Sequence, residues 1–176
     1  MIMRLNKAEL KDFERLTDFY RYVIDNTDTM KQFCRWIYGK HPSDEMIREY
    51  IDLDAMYFCE ENGNILAAVA VTPFQDEEYR MVEWKEDLKD DEVAVVHLLC
   101  TDPKKQRQGL AKDVMKAIFE MAKESKKKAV RLDALDINAP AHKLYQSLGF
   151  ENRGVKNWYA CNLGWVDFTL YEFDLK

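Results

Sequence analysis

One stretch of the chain, residues 93–111, constrains the fold more than any other. Its first part, residues 93–100, is apolar and rich in β-branched side chains, which is typical of a strand covered on both faces. Asp102 and Pro103 form a turn signal that ends this strand. Beyond a basic loop, apolar residues recur with the spacing of one helix face, at Leu110, Ala111, Val114, Met115, Ile118 and Ala122. The order of strand, basic loop and helix predicts the first half of a βαβ crossover.

The loop that opens this helix predicts a binding site for an anion. The start of a helix exposes backbone N–H groups without partners and the positive end of the helix dipole. Gly109 and the small side chain of Ala111 allow an anion to approach that backbone closely. A pyrophosphate group fits this description.

A second strand and helix complete the crossover. Residues 129–134 alternate between apolar and polar side chains, which predicts a strand parallel to the first. Asn138 is expected to cap the next helix, with Pro140 in its first turn and Gly149 as its C-terminal stop. The block therefore predicts two neighbouring parallel strands with a helix after each.

Two motifs in this block resemble those of the GCN5-related N-acetyltransferase (GNAT) family. Residues 106–111, read Gln-Arg-Gln-Gly-Leu-Ala, resemble the Q/R-x-x-G-x-G/A signature with which the family holds acetyl-coenzyme A (acetyl-CoA); Ala111 stands where glycine is commoner. Residues 138–150 resemble the family's N-x-x-A-x-x-L-Y-x-x-x-G-F element. The motifs occur in the family's order, one helix and one strand apart. The resemblance spans residues 93–150, about a third of the chain, and the flanks agree only in their order of elements.

The resemblance implies an α/β fold and a single N-acetyltransferase domain over residues 1–176. It implies a mixed, mostly antiparallel central sheet with helices on both faces and a parallel strand pair that splays apart at the coenzyme site. The implied activity is transfer of an acetyl group from acetyl-CoA, as cosubstrate, to a primary amine of a small-molecule acceptor by direct attack on the thioester. Two alternatives are a protein or peptide N-acetyltransferase and a non-catalytic sensor module that binds coenzyme A.

The same resemblance assigns coenzyme contacts residue by residue. The backbone of Leu99, Cys100 and Thr101 would pair with the pantetheine arm like an added strand. The pyrophosphate would bind the N–H groups of Gln106, Arg107, Gln108, Gly109, Leu110 and Ala111. Cations that would either meet the ribose phosphate or simply be solvated are Lys104, Lys105, Arg107 and Lys112. In the second motif the implied coenzyme contacts are Asn138, Ala141 and Tyr145.

Three residues are the candidates for catalysis. In the family, a bulge in the central strand frees an N–H that faces the thioester carbonyl, and Leu99 matches that position. Tyr145 matches the tyrosine that protonates the departing thiolate, although the same helix position also suits a core tyrosine. His97 lies two residues before Leu99, so strict alternation would point both side chains toward one face. His97 matches a histidine that helps to take the amine's proton in arylalkylamine acetyltransferases, and it could equally be a buried structural histidine.

Acidic residues offer two further hypotheses. Glu83 or Glu92 could act as the base through a water molecule, and water alone could also relay the proton. The acidic segment over residues 76–92 could attract a cationic acceptor, because a primary amine is protonated at neutral pH. The competing interpretation of that segment is a solvated loop.

Composition limits the compartment and the partners. The net charge of -6 argues against nucleic acid as a partner, and the longest apolar run, residues 65–71, is too short to cross a membrane. Charged Arg4, Lys7 and Glu9 interrupt the N-terminus, which therefore does not resemble a signal peptide. The four cysteines and three histidines are scattered without metal-binding spacing, so we expect reduced, mostly buried thiols and no metal site. These features predict a cytoplasmic protein.

The flanking segments are predicted from shorter signals. A strand is expected over residues 2–5, followed by a helix that Asn6 and Glu9 cap and that ends near Asp25. A broken helical stretch is expected over residues 30–38. These early helices would flank the acceptor pocket if the chain is built like the family it resembles.

The remaining strands are predicted from turn signals and apolar runs. Asn62 and Gly63 form the strongest short hairpin signal in the chain. The strands are expected over residues 56–60, 65–72, 155–160 and 167–175, with a short strand or extended segment near residues 79–84. Trp158, Tyr159 and Trp165 could form the edge of a homodimer or cap the core.

Overall fold

Seven strands form one sheet in the computed structural model, which describes residues 3–176. In chain order they are β1 (Asn6–Lys7), β2 (Met56–Glu61), β3 (Asn64–Thr72), β4 (Val93–Thr101), β5 (Ala129–Leu135), β6 (Glu151–Ala160) and β7 (Gly164–Asp174). The α-helices are α1 (Phe13–Asn26), α2 (Asp44–Asp52), α3 (Leu110–Glu124) and α4 (Ala139–Ser147). None of the helices in residues 3–176 combines the length and hydrophobicity of a bilayer-spanning segment.

The strands lie side by side in the order β1-β2-β3-β4-β5-β7-β6. Neighbouring strands are antiparallel except β4 and β5, which run parallel and are joined through α3. A parallel pair needs such a crossover because a tight turn can only reverse the chain. The predicted mixed, mostly antiparallel sheet and the predicted crossover are both confirmed.

Two apolar clusters hold helices against opposite faces of the sheet. On one face, Leu16 of α1 and Ile47 of α2 are fully buried in a cluster that also contains residues of β2, β3 and β4. On the other face, Met115 and Ile118 of α3 are fully buried together with Tyr145 of α4. Helices therefore cover both faces, as the sequence predicts, and β4 lies between the two clusters.

The turn between β2 and β3 follows the sequence signal directly. Asn62 and Gly63 have φ angles of 50° and 78°. A two-residue turn of type I′ requires positive φ at both central residues, which explains the preference for Asn-Gly. The predicted hairpin is confirmed.

The N-terminal prediction is wrong in two details. Ile2 lies outside the described residues, residues 3–5 are not a strand, and the first strand is Asn6–Lys7. The cap lies three residues later than predicted, since the backbone N–H of Glu9 donates to Asp12 Oδ2 at 3.0 Å. Helix α1 itself follows the predicted apolar stripe.

The acidic segment before β4 is not the extended strand that the sequence suggests. Residues Glu77–Met81 form a 3-10 helix that packs Tyr79 against the sheet. Beneath this segment, Arg131 of β5 is fully buried and its guanidinium donates to Glu172 at 2.7 Å. The same guanidinium lies 4.2 Å from the ring centre of Trp84. The polar side of β5 is therefore covered by protein, although its alternating pattern is typical of a strand with one face in water.

The closing hairpin presents some aromatic residues and buries others. The ring of Trp158 stacks on Tyr79 with a centroid distance of 5.8 Å, so this tryptophan caps the core. Tyr159 and Trp165 are exposed and lie in edge-to-face contact with each other. Of the cysteines, Cys59 and Cys100 are buried as expected, whereas Cys161 at the end of β6 is exposed.

Candidate active site

The parallel strands β4 and β5 separate soon after they meet. They pair at Val93, Ala94 and Val95, and the last pair joins Val95 to Arg131. Beyond this point a cavity of about 240 Å³ is lined by residues from both strands. The splayed pair that the family resemblance implies is thus present, and the cavity lies in the split.

A bulge in β4 faces this cavity. The register between β3 and β4 shifts by one residue between Ala68 and Ala70, so that Leu98 and Leu99 together lie opposite one residue of β3. Leu98 adopts a φ of 53°, which is unusual for a residue other than glycine. Its carbonyl oxygen accepts a hydrogen bond of 2.8 Å from the buried Tyr20 hydroxyl. Tyr20 thereby holds the bulge from α1, and no sequence signal pointed to this role.

The bulge changes which way the side chains of β4 point. Leu98 packs in the cluster of α1 and α2, whereas Leu99 packs against the cluster of α3. His97 stacks on Tyr50 of α2 with ring centres 5.6 Å apart. The expectation that strict alternation places His97 and Leu99 on one face is wrong, because the extra residue reverses the alternation. Both residues nevertheless line the cavity.

The hydrogen bonds around His97 define which nitrogen can accept a proton. The Thr72 hydroxyl donates to the carbonyl of Phe74 at 2.8 Å and also lies 3.3 Å from His97 Nε2. Since the hydroxyl proton is already used, Thr72 accepts from Nε2–H, and we infer that Nδ1 carries the lone pair. Burial lowers the pKa of His97, and the nearby Asp133 carboxylate opposes that change. His97 is therefore a neutral imidazole with one nitrogen able to accept a proton.

His41 and Asp133 also line the cavity, and sequence reasoning did not propose either as a site residue. His41 lines it beside Trp36, with ring centres 6.0 Å apart, and burial lowers the pKa of His41. Asp133 of β5 lines it as well, and its Oδ2 accepts a 2.6 Å hydrogen bond from Tyr79. The alternation of β5 identified Asp133 as polar, but the signal could not show that the covering segment would turn this polar face into a cavity wall.

Tyr145 reaches the cavity from α4. The helix begins after Asn138, whose side-chain oxygen accepts from the Ala141 N–H at 3.3 Å, as predicted for this cap. The Tyr145 ring is buried and packs edge-on against Phe150 with centroids 5.6 Å apart. Burial raises the pKa of Tyr145, and the Asp133 carboxylate raises it further. The phenol therefore stays protonated at neutral pH.

The predicted phosphate loop leads into the cavity at the start of α3. Gly109 immediately precedes the helix with a φ of 85°, and Arg107 also adopts a left-handed φ of 63°. Within residues 3–176, no acceptor lies in hydrogen-bonding geometry with the backbone N–H groups of residues 107–112. Such a row of free donors at a helix start suits a diphosphate. Among the predicted coenzyme contacts, those that line the cavity are Leu99, Cys100, Thr101, Ala111, Asn138, Ala141 and Tyr145.

The glutamates proposed as alternative bases lie elsewhere. Glu83 lines a separate cavity beside Trp84 and is absent from the lining of the split. Glu92 forms an ion pair of 2.6 Å with Lys128. Neither residue is therefore positioned to act on a group bound in the split.

The loop of residues 35–41 supplies Trp36 and His41 to the lining of the cavity. The tip of the β6–β7 hairpin holds this loop, since Asn162 Nδ2 donates to the Arg35 carbonyl at 2.9 Å. Cys161 Sγ donates to the Lys40 carbonyl at 3.1 Å. The Tyr38 hydroxyl anchors the loop from below through Asp44 at 2.5 Å. These contacts fix one wall of the cavity from two other parts of the chain.

Comparisons with known proteins agree with this geometry. The family model described as "Acetyltransferase (GNAT) family" matches residues 12–150. An uncharacterized N-acetyltransferase of Methanocaldococcus jannaschii is 24% identical over 163 residues, which cover 89% of this chain and 63% of that protein. The chain thus spans less than two thirds of the length of this curated relative.

Solved structures share the fold at low sequence identity. An N-acetyltransferase from Staphylococcus aureus Mu50 is 17% identical with a TM-score of 0.67, over 98% of each chain. The ribosomal-protein-S18-alanine N-acetyltransferase of Escherichia coli is 16% identical with a TM-score of 0.67, over 98% of this chain and 94% of that one. The Salmonella typhimurium protein yncA, solved with its cofactor acetyl-CoA, is 18% identical with a TM-score of 0.66, over 100% and 95% of the two chains.

The family model covers most of the chain and includes both motifs, the bulged strand and the helix start that follows it. The fold of the solved relatives agrees with that of this chain over nearly its full length. The chain therefore belongs to the GNAT family of acetyltransferases.

Proposed function

We propose that the protein is an acetyl-CoA-dependent N-acetyltransferase that acetylates a primary amine of a small molecule. The observation that carries this proposal is the bulged split between β4 and β5 with a row of free backbone donors at its outer end. The free donors of residues 107–112 bind the diphosphate of the coenzyme. The backbone of residues 99–101 pairs with the pantetheine arm, which brings the thioester beside the bulge.

His97 and Tyr145 divide the proton transfers between them. Acceptor amines are mostly protonated at neutral pH, and His97 Nδ1 takes one proton so that the nitrogen lone pair can attack the thioester carbon. The N–H of Leu99 stabilises the negative charge that develops on the carbonyl oxygen. When the C–N bond has formed and the C–S bond breaks, Tyr145 donates its proton to the thiolate.

The remaining protons balance without any further group. The new amide nitrogen gives up its second proton and restores the Tyr145 phenol. His97 returns the first proton to solvent. The net reaction converts an alkylammonium ion and acetyl-CoA into an N-acetylamine, coenzyme A and one proton.

The size of the cavity and the fixed loop beside it support a small acceptor over a protein. Residues 35–41, which supply Trp36 and His41 to the cavity lining, are joined to the hairpin tip by two hydrogen bonds. An extended peptide needs an open groove with free backbone groups along its length. A compact amine needs only a cavity of the size found here.

Release of coenzyme A from acetyl-CoA in the presence of primary amines tests the proposal. We expect release with at least one member of a panel of alkylamines, amino acids and aminosugars, and strong loss of release in Tyr145→Phe. Binding of acetyl-CoA without release for any amine would contradict the proposed activity and support a sensor module instead.

A further inference from the structure

Asp133 is an ionisable residue of the cavity that has no role in the proposed coenzyme binding or proton transfers. Among residues 3–176, it is the one carboxylate that lines the cavity in the split, and no lysine or arginine lines that cavity. The salt bridges of the described part of the chain do not include Asp133. A carboxylate in such a place normally has a cationic partner, because burying an unpaired charge is costly.

The hydrogen bonds of Asp133 leave one oxygen available. Oδ2 accepts from the Tyr79 hydroxyl at 2.6 Å. Within residues 3–176, Oδ1 has no hydrogen-bond partner, and the residue retains some accessible surface. Tyr79 itself is buried beneath Trp84 and Trp158, so it holds the carboxylate in a fixed orientation. One oxygen is therefore fixed by the protein and the other is free to bind a ligand.

The register of the split places Asp133 opposite His97. Val95 pairs with Arg131 in the last parallel pair, and each strand continues two residues to His97 and Asp133. Two residues along a strand return to the same face, so the two side chains flank the mouth of the split. Burial lowers the pKa of His97, and the Asp133 carboxylate opposes that change. Burial raises the pKa of Asp133, whereas the hydrogen bond from Tyr79 and the interaction with His97 lower it, so a bound cation would favour the ionised carboxylate further.

The other groups around Asp133 do not neutralise it. The Asp76 carboxylate in the covering segment is close enough to raise the pKa of Asp133, and it therefore adds negative potential. Tyr145 of α4 and Tyr50 of α2 are neutral phenols whose pKa values are raised, first by burial and then by nearby carboxylates. The potential at this wall of the cavity favours a cation.

Aromatic rings surround the rest of the acceptor side. Trp36, Tyr50 and Phe168 line the cavity together with the two neutral imidazoles of His41 and His97. Ring faces attract a desolvated ammonium group and also pack against an alkyl substituent. The combination of one carboxylate and several rings suits an alkylammonium ion and discriminates against an acceptor whose reactive end is anionic.

We infer that Asp133 Oδ1 binds the protonated amino group of the acceptor, so that the substrates are compact alkylammonium ions held at the mouth of the split beside His97. This inference rests on the proposed function for its catalytic meaning, but the binding step can be measured without turnover. Asp133 is the specificity-determining residue, and His97 beside it receives the proton of the bound ammonium.

Binding of n-butylammonium to the complex of the protein with coenzyme A tests the inference, with 1-butanol as the uncharged probe of similar shape. We expect n-butylammonium to bind at least about tenfold more tightly than 1-butanol, because a hydrogen bond between two charged groups is stronger than a neutral one. NMR titration measures both affinities, and the side-chain carboxyl carbon of Asp133 should shift on addition of the cation only.

The Asp133→Asn variant removes the charge and keeps the shape. It should lose about tenfold or more in affinity for n-butylammonium while its affinities for 1-butanol and coenzyme A stay unchanged. Asp136→Asn is the matched control, since Asp136 follows the same strand but is exposed and lies outside the cavity lining. Retained coenzyme A binding in Asp133→Asn shows that the variant is folded, and the comparison of the two probes on the unmodified protein stands without any variant.

Equal binding of the two probes to the unmodified protein would overturn the inference. Equal loss of both probes in Asp133→Asn would also overturn it, because a structural role does not distinguish charge. Failure of the proposed function has a different signature, namely specific binding of n-butylammonium without coenzyme A release for any amine.

Discussion

The two ends of the split are built in different ways. The proposed coenzyme end consists of consecutive residues at the start of α3, whose free backbone N–H groups would be the binding atoms. The acceptor end consists of side chains from five separate segments, among them Tyr50, His97 and Asp133. A site made of backbone needs only the right local conformation, which a short motif can specify. A site made of side chains depends on long-range packing, and its chemistry can change while the coenzyme end stays the same.

The largest expected effect is a loss of coenzyme affinity from a substitution at the backbone end of the split. Gly109→Glu places a side chain and a negative charge where the diphosphate binds, and coenzyme affinity should fall by roughly a thousandfold because like charges in contact cost several kcal/mol. Gly63→Glu is a matched control, since both glycines have positive φ and open space where a Cβ would lie. Titration of both variants with coenzyme A measures the difference. Equal affinities would remove the phosphate assignment from residues 106–111.

The second effect is a loss of kcat on substitution of Tyr145, whose side chain lies between the two ends of the split. Tyr145→Phe should lower kcat by about a hundredfold, because a positioned general acid contributes at least that much, and should leave coenzyme affinity unchanged. Tyr171→Phe is the control, since Tyr171 contacts the Tyr145 ring but its hydroxyl lies 2.9 Å from His142 Nδ1. Steady-state kinetics and coenzyme titration separate the two quantities. A similar fall of kcat in both variants would assign Tyr145 to the core.

The third effect is a change in the pH dependence of kcat/KM on substitution of His97, at the proposed acceptor end. Burial lowers the pKa of His97, so its neutral, proton-accepting form persists to a lower pH than that of an exposed histidine. The acid limb of kcat/KM should therefore lie below pH ~6.5, with the rate rising as pH increases through it. His97→Gln should replace that limb with one on the alkaline side, where the acceptor amine loses its proton without a base, and should lower the rate about tenfold. His142→Gln is the control, because His142 lies outside the cavity lining, and an unaltered profile in His97→Gln would return His97 to a structural role.

The smallest effect concerns the support of the bulge. Tyr20→Phe removes the hydrogen bond to the Leu98 carbonyl and leaves that buried oxygen without its donor, which should cost about 1–3 kcal/mol of stability. We expect kcat to fall only a few-fold, while coenzyme affinity stays the same. Tyr22→Phe is the control, since its hydroxyl makes a longer bond of 3.3 Å to Asp102 near the surface. Chemical denaturation and steady-state kinetics check both variants, and equal stability of the two would show that Tyr20 does not hold the bulge.

The sequence predicts much of the fold because its signals are local. Asn62 and Gly63 define a turn by their own backbone preferences, and Asn138 caps a helix three residues away. Gly109 likewise defines the start of α3, the proposed coenzyme end, without reference to any distant residue. Periodicity also orders β4, α3 and β5 correctly, since each element buries its own apolar stripe.

The acceptor end could not be predicted in the same way. Tyr20 supports Leu98 across 78 positions of sequence, and Tyr79 orients Asp133 across 54. The positive φ of Leu98 falls on a residue that rarely adopts it, so no local preference announces the bulge. The alternation of β5 predicted a strand, but nothing local reveals that the segment around Tyr79 folds back over its polar side. These features escaped sequence reasoning for one cause, which is that tertiary contacts determine them.

The loop of residues 35–41 lines the cavity, and a segment outside the matched family region holds it in place. The hairpin tip that holds this loop lies beyond residue 150, where the matched family segment ends. A different tip on the same sheet would therefore change the position of residues 35–41 without altering the free backbone N–H groups at the start of α3. Random substitution of residues 160–164 is thus a way to vary one wall of the cavity while Asp133 and the helix start are retained.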